Sequence, residues 1–197
     1  LLQLVGVLPG RRGQLLALHE GRPGVLWIGT FDGFYRWKAG HVTQVTRAQG
    51  LFDDRIFQIL PDGRGQLWMS CNKGIFRVSQ EELEAVADGR GERVDPRVYG
   101  VEDGMRSAEC NGMSSPAGIR ARDGRLWFPT IRGAVAYAAE QEEQHTAPPR
   151  VLIEQVRVNG RAVPPPEWGD IPVGEGEVEI HYTSPGLRTP QRLHFRY

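Results

Sequence analysis

Cysteine is scarce in this sequence. Two residues in 197, Cys71 and Cys110, are too few for a disulfide scaffold and lack the spacing of a metal site. They read as two semi-buried thiols, with a bridge between them left open, and they assign no compartment. Net charge is absent as well. The 24 basic and 24 acidic residues cancel, and the basic ones are scattered. Nucleic acid, which selects a basic patch, is therefore excluded as the expected partner. No apolar run approaches the roughly 20 residues of a membrane span, and no signal peptide is recognisable; both would have to belong to a longer parent. Catalytic patterns are missing too. The five histidines, His19, His41, His145, His181 and His194, are dispersed with no H-E-x-x-H pair. Gly112-Met113-Ser114-Ser115-Pro116 lacks the closing Gly of a nucleophile elbow. Gly174-Glu175-Gly176-Glu177 would repel a phosphate, and no helix follows it. Asp53 and Asp54 are adjacent, and neighbours on a strand point to opposite faces, an objection that only a loop would relax. No catalytic residue, metal ligand or cofactor is expected.

Repetition is abundant. Val25-Leu26-Trp27-Ile28-Gly29-Thr30-Phe31-Asp32-Gly33 is written again as Gln66-Leu67-Trp68-Met69-Ser70-Cys71-Asn72-Lys73-Gly74 and as Arg125-Leu126-Trp127-Phe128-Pro129-Thr130-Ile131-Arg132-Gly133. The tryptophans stand 41 and 59 residues apart, and each is followed by Gly at the sixth position. Each copy reads as two strands around a tight turn in which the Gly takes a positive φ. Another strand precedes each copy, at Leu15–His19, Arg55–Leu60 and Ala117–Ala121, and an outer strand follows at His41–Thr46 and Arg97–Val101. Four antiparallel strands per repeat of this length describe a β-propeller blade. A Trp at mid-strand would be sandwiched between blades, burying about 150–250 Å², roughly 4–6 kcal/mol gross at about 25 cal/mol per Å².

The expected fold class is all-β: about three four-stranded antiparallel propeller blades over residues 1–137, a linker over 138–149, and part of an immunoglobulin-like β-sandwich over 150–197. Leu1–Gln14 reads as the end of an earlier blade. The second blade carries an insertion in which Ser79-Gln80-Glu81-Glu82 predicts a capping box, Leu83 and Val86 share a face, and Gly89 or Gly91 ends the turn. A short helix on the rim, as surface decoration, is expected there. In the last region Val151, Ile153, Val156 and Val158 are expected to point inward, Asn159-Gly160 to form a hairpin turn, and Val163–Trp168 to be an edge or loop. Gly176–Thr183 and Leu193–Tyr197 read as further strands. The chain does not begin with Met, and three blades do not close a ring of four to eight. A piece of a longer protein is expected, completed by further blades or by other copies.

These residues resemble a known family. Asp62–Gly74, Asp123–Gly133 with a shorter spacing after its Asp, and Val25–Gly33 without a leading Asp are similar to the two-component regulator propeller repeat, Asp-x-x-Gly-x-Leu-Trp-Ile-Gly-Thr-x-x-Gly. Glu102–Asn111 resembles the segment that opens the family's final blade, and Leu126–Gly133 its closing Leu-Trp-Phe-Pro-Thr-x-x-Gly. Pro148–Tyr197 resembles the three-tyrosine (Y_Y_Y) sandwich domain that follows, with Tyr197 fitting its first tyrosine. Cys110 in place of Phe, and Ser70-Cys71 in place of Gly-Thr, depart from the pattern. The resemblance implies a periplasmic sensor region of a bacterial inner-membrane receptor, a homodimer whose output is a histidine kinase or a diguanylate cyclase.

Strand parity selects a face. The turns between second and third strands, and the links from one blade to the next, meet at the same end of the sheets. That end gathers Phe31, Asp32, Asp53, Asp54, Arg55, Asn72, Lys73, Glu109, Asn111 and Arg132. Mixed donors, acceptors and an aromatic suit a small polar ligand or an oligosaccharide. Two other readings stand beside a non-enzymatic sensor. One is a metal-dependent propeller lyase, for which only His19 and Glu109 begin a cluster. The other is a protein-interaction scaffold that uses the rim helix.

Overall fold

A computed structural model describes residues 14–113, 115–138, 151–165 and 176–183. The chain divides into two compact units, Leu1–Gln144 and His145–Tyr197. The expected outer strand at Leu1–Gln14 and the expected linker lie almost wholly outside the described residues, as do Leu193–Tyr197 and half of Val163–Trp168.

The first unit is built from consecutive antiparallel meanders. Strands β1 (Leu15–Glu20), β2 (Val25–Thr30), β3 (Phe34–Lys38) and β4 (His41–Val45) form a four-stranded sheet in chain order. Strands β5 (Gln58–Pro61), β6 (Gln66–Cys71), β7 (Gly74–Ser79) and β8 (Arg97–Tyr99) repeat it. A third sheet has three strands, β9 (Ile119–Arg120), β10 (Leu126–Thr130) and β11 (Gly133–Tyr137). The all-β expectation holds, with the third sheet one strand short of four among the described residues.

Alternation along each strand assigns its two faces. Ala17, Val25, Trp27, Phe34 and Val45 of the first sheet share one buried cluster with Ile59, Leu67, Met69, Phe76 and Val78 of the second. The opposite face of the second sheet supplies Leu60, Trp68 and Ile75, which are buried with Leu126 and Phe128 of the third. The sheets therefore stack face to face in chain order. Trp27 and Trp68 are 0% and 1% exposed, each directed at the following sheet. Trp27 stacks on Phe34 at 5.0 Å, and Trp68 lies between Tyr99 and Tyr137 at 4.9 and 3.9 Å. Trp127, on the face of β10 turned away from the second sheet, is half-buried.

The leading Asp of the repeat has a local task. Asp62 accepts hydrogen bonds from the backbone N–H of Arg64 and Gln66, and from the Trp68 indole at 3.4 Å. It ties the hairpin turn to the buried ring. In the first copy Gly21 stands six residues before the Trp, and the Trp27 indole N–H is buried with no partner. A Cβ at Gly21 would come within 2.9 Å of that nitrogen, so the position has no room for the missing carboxylate.

The insertion corrects two expectations. Helix α1 (Gln80–Ala87) begins at Ser79, but the Ser79 side chain makes no capping bond, so the expected capping box does not form. Nor is the helix surface decoration. Leu83 and Ala87 are buried in the cluster between the first two sheets, with Val86 packed against it. Gly89 follows in the left-handed region, φ 72°, and donates to Val86 O, ending the helix where expected.

In the second unit, β12 (Leu152–Val158) lies between β13 (Arg161–Val163) and β14 (Val178–Thr183). Asn159 and Gly160, both at positive φ, make the expected hairpin turn. A bulge between Ile153 and Gln155 shifts parity by one residue and places Ile153, Val156 and Val158 opposite Tyr182, Ile180 and Val178. The expectation that this series points inward holds at Val156 and not at Val151 and Ile153. Val156 is 3% exposed, but Val151 and Ile153 are 56% and 47% exposed. The described residues form a single layer, so the shared apolar face has no described second sheet over it.

Candidate functional site

The three tight turns are built alike. Thr30 and Thr130 donate from Oγ1 to the carbonyl of the Gly three residues on, each at 2.9 Å, and accept the N–H of the residue between. Cys71 does the same with sulfur, donating to Gly74 O at 3.4 Å and accepting from Lys73 N. Gly74 and Gly133 take φ 143° and 118°, where a side chain would be strained.

The links between sheets repeat as well. Residues 47–49 and 101–103 form single 3-10 turns ended by Gly50 and Gly104 in the left-handed region. Each chain then returns to its sheet by two backbone bonds. Ile56 N donates to Thr30 O, and Phe57 N to Ser70 O; Cys110 N donates to Cys71 O, and Asn111 N to Pro129 O. Arg55 and Glu109 thus hold equivalent positions in successive links, one cationic and one anionic.

Links and turns meet around a cleft of about 510 Å³ lined by Phe31, Arg55, Phe57, Asn72, Glu109, Cys110, Asn111, Gly112 and Met113. Five of the ten residues singled out from sequence line it: Phe31, Arg55, Asn72, Glu109 and Asn111. The Arg55 guanidinium stands over the Phe31 ring, 5.9 Å from its centroid. Asn111 donates from Nδ2 to Thr130 O, which leaves its Oδ1 as an acceptor. Asp53 and Lys73 join at 2.8 Å, tying the first link to the turn of the second sheet. Burial pushes the Asp53 carboxyl up, but the Lys73 ammonium and the Arg55 N–H outweigh it and hold it below the usual range.

The other three do not line the cleft. Asp32 accepts from Thr30 Oγ1 at 2.8 Å and from Tyr35 Oη at 3.3 Å. With burial, it raises the Tyr35 phenol to about 12. Asp54 accepts from Arg47 N at 2.7 Å. Arg132 is exposed on its turn and does not line the cleft.

Sequence reasoning missed Phe57, Cys110, Gly112 and Met113. Phe57 stands two residues after Arg55 and lines the same cleft, a signal that strand alternation did carry. Gly112 is present because a Cβ there would overlap the Phe57 ring. Among the described residues no group of three or more His, Cys, Asp or Glu is placed to hold a metal ion. His19 stands on β1 opposite Trp27, where burial lowers its pKa, and is not part of the cleft. The arrangement offers one guanidinium, one carboxylate, two carboxamides and aromatic surface, which is equipment for binding.

No family model and no curated protein matches the chain. Among solved structures, the extracellular domain of BT3049, a candidate hybrid two-component system of B. thetaiotaomicron, superposes with a TM-score of 0.57 at 19% identity. The match covers 78% of this chain and 21% of that one, so the chain spans about a fifth of the neighbour's length. The extracellular domain of BT4673, a candidate one-component system from the same organism, gives a TM-score of 0.33 at 15% identity over 88% of this chain and 31% of its own. At such identities the likeness to BT3049 is one of fold. No helix among the described residues is long and apolar enough to cross a membrane.

Proposed function

We propose that this chain is part of the extracytoplasmic ligand-sensing region of a bacterial membrane receptor of the two-component or diguanylate cyclase type. On this reading the stacked sheets are blades of a propeller, the second unit is the beginning of an immunoglobulin-like (Y_Y_Y) sandwich, and the region works as a homodimer in the periplasm. The observation that carries the reading is the convergence of two turns and two links on one cleft, with the equivalent residues Arg55 and Glu109 unlike in charge. Repeated structure that ends in non-repeated chemistry marks a place where packing does not dictate the side chains. The extracellular sensor-type neighbour, similar in fold, supports the same class.

The ligand is a small polar molecule or an oligosaccharide, seated on Phe31 and Phe57 and bonded by Arg55, Asn72, Glu109 and Asn111. Its effect on the receptor must come from unequal affinity for two arrangements of the subunits. A thermal-shift screen of sugars and small acids on the complete extracytoplasmic region tests this. A hit whose affinity falls at least about tenfold in both Arg55→Ala and Glu109→Gln, with the melting temperature of the free protein unchanged, is the expected outcome. A hit indifferent to both substitutions places the ligand elsewhere.

A further inference from the structure

The two cysteines of the chain stand 39 positions apart, yet the fold brings them together. Cys110 N donates to Cys71 O at 3.3 Å. A direct backbone bond brings two chain segments about as close as neighbouring strands, roughly 5 Å, and a disulfide spans Cα separations of about 4.4–6.8 Å. The side chains turn the same way. Both Sγ atoms approach one acceptor, Gly74 O, at 3.4 Å from Cys71 and 3.7 Å from Cys110, so the sulfurs can be no farther apart than the sum of those distances. Both residues are buried, at 0% and 2% exposure.

The first repeat shows what these positions otherwise hold. There the same backbone bond runs from Ile56 to Thr30. Cysteine has replaced both members of that pair in the second repeat and neither member in the first. The turn bond explains Cys71 alone, since sulfur stands there for the threonine hydroxyl. It does not explain Cys110, whose counterpart is an isoleucine.

We propose that Cys71 and Cys110 are a disulfide-forming pair that takes its oxidising equivalents from a disulfide donor such as oxidised glutathione. One thiol loses its proton and attacks the donor, forming a mixed disulfide and releasing one glutathione thiol. The second protein thiolate attacks the protein sulfur of that mixed disulfide, expelling the second glutathione thiol. Two protein thiols are oxidised, one glutathione disulfide is reduced, and both protons end on the released thiols. The bridge fastens the end of β6 to the link that carries Glu109 and Asn111, and so fixes one wall of the cleft. Burial raises the Cys71 and Cys110 thiols to about 11 and 12, so the exchange passes through an opened state and its rate says little; the equilibrium is the informative quantity.

The test equilibrates the full chain in glutathione redox buffers, in native buffer and in concentrated urea. Acid quenching, alkylation and mass measurement then give the fraction bridged. The effective concentration of one thiol for the other is expected to be at least about 100-fold higher natively than in urea, and the bridged chain to melt at a higher temperature than the reduced one. An equal or lower native value, a predominance of mixed disulfides, or a lower melting temperature on bridging would each overturn the proposal. Cys71→Thr, which restores the residue of the other two turns, keeps the test open should Cys71→Ser disturb folding; it is expected to leave Cys110 only as a thiol or a mixed disulfide. No ligand enters these readouts, so they are independent of the sensor reading.

Discussion

Arg36 Nη1 lies 2.6 Å from Asp88 Oδ1, and this pair joins the first sheet to an element inserted in the second. Arg36 stands on β3 opposite Trp27 and is 5% exposed. Its guanidinium also donates to Ala87 O at 3.0 Å and Glu84 O at 3.4 Å. Those carbonyls belong to the last turn of α1, where the helix dipole is negative; Glu84 O also accepts from Asp88 N at 2.9 Å, whereas Ala87 O lies past the last backbone donor of the helix. The equivalent residue of the second sheet, Arg77, instead lies over the Trp68 ring at 5.6 Å.

Replacing Arg36 by Met keeps the apolar stem and removes every donor. The buried Ala87 carbonyl is left without its partner, a loss of about 1–3 kcal/mol. Urea unfolding followed by tryptophan fluorescence should show a lower midpoint, and hydrogen exchange should show α1 opening before the sheets. Unchanged protection of Ala85–Gly89 would mean that the clamp contributes nothing.

The same cluster makes stability depend on acid. Hydrogen bonds from Arg36 and Arg90 hold the Asp88 carboxyl down to about 2, with Lys38 adding to them. Its folded pKa is below the unfolded value of about 3.9, so the stabilisation is complete above about pH 5. It is lost as pH falls through about 4 toward 2. The urea midpoint should decline over that window less steeply in Asp88→Asn than in the native chain. Parallel curves would assign the decline to other carboxylates.

Asp62 and Asp123 occupy the same sequence motif but carry different weight. Asp62 is 9% exposed and serves two backbone N–H groups and an indole. Asp123 is exposed and pairs with neighbouring Arg125. Asp62→Ala should cost about 1–3 kcal/mol and change the Trp68 emission. Asp123→Ala should move the urea midpoint very little. Equal effects would show that the turn, and not its tie to the buried ring, is what matters.

The sheets were legible because each repeat states its own two-residue alternation, turn glycine and buried ring within about 15 residues. What depends on distant partners was not. Leu83 and Val86 marked one face of α1, but nothing near them in sequence names Arg36, some 50 residues earlier, as the group that draws the helix inward. The candidate site divided in the same way. Phe31, Arg55, Asn72, Glu109 and Asn111 followed from knowing which turns and links meet. Asp32 and Asp54 look equally functional in sequence, yet their oxygens are taken by a hydroxyl and a backbone N–H. The bulge in β12 needs the register of β14 to be seen at all.

Gly112 offers a test of how tightly the cleft floor is packed. A Cβ at this position would overlap three atoms of the Phe57 ring; Phe57 is 5% exposed and lines the cleft with Arg55 and Asn111. Phe57 belongs to the cluster with Trp68 and Phe128, so it has little room to withdraw. Gly112→Ala should therefore cost about 1–3 kcal/mol, the usual range for overpacking. The double variant Gly112→Ala with Phe57→Leu should recover part of that loss, because the smaller side chain vacates the space the methyl needs. If the two substitutions are instead additive in urea unfolding, the glycine and the ring are not in the contact described.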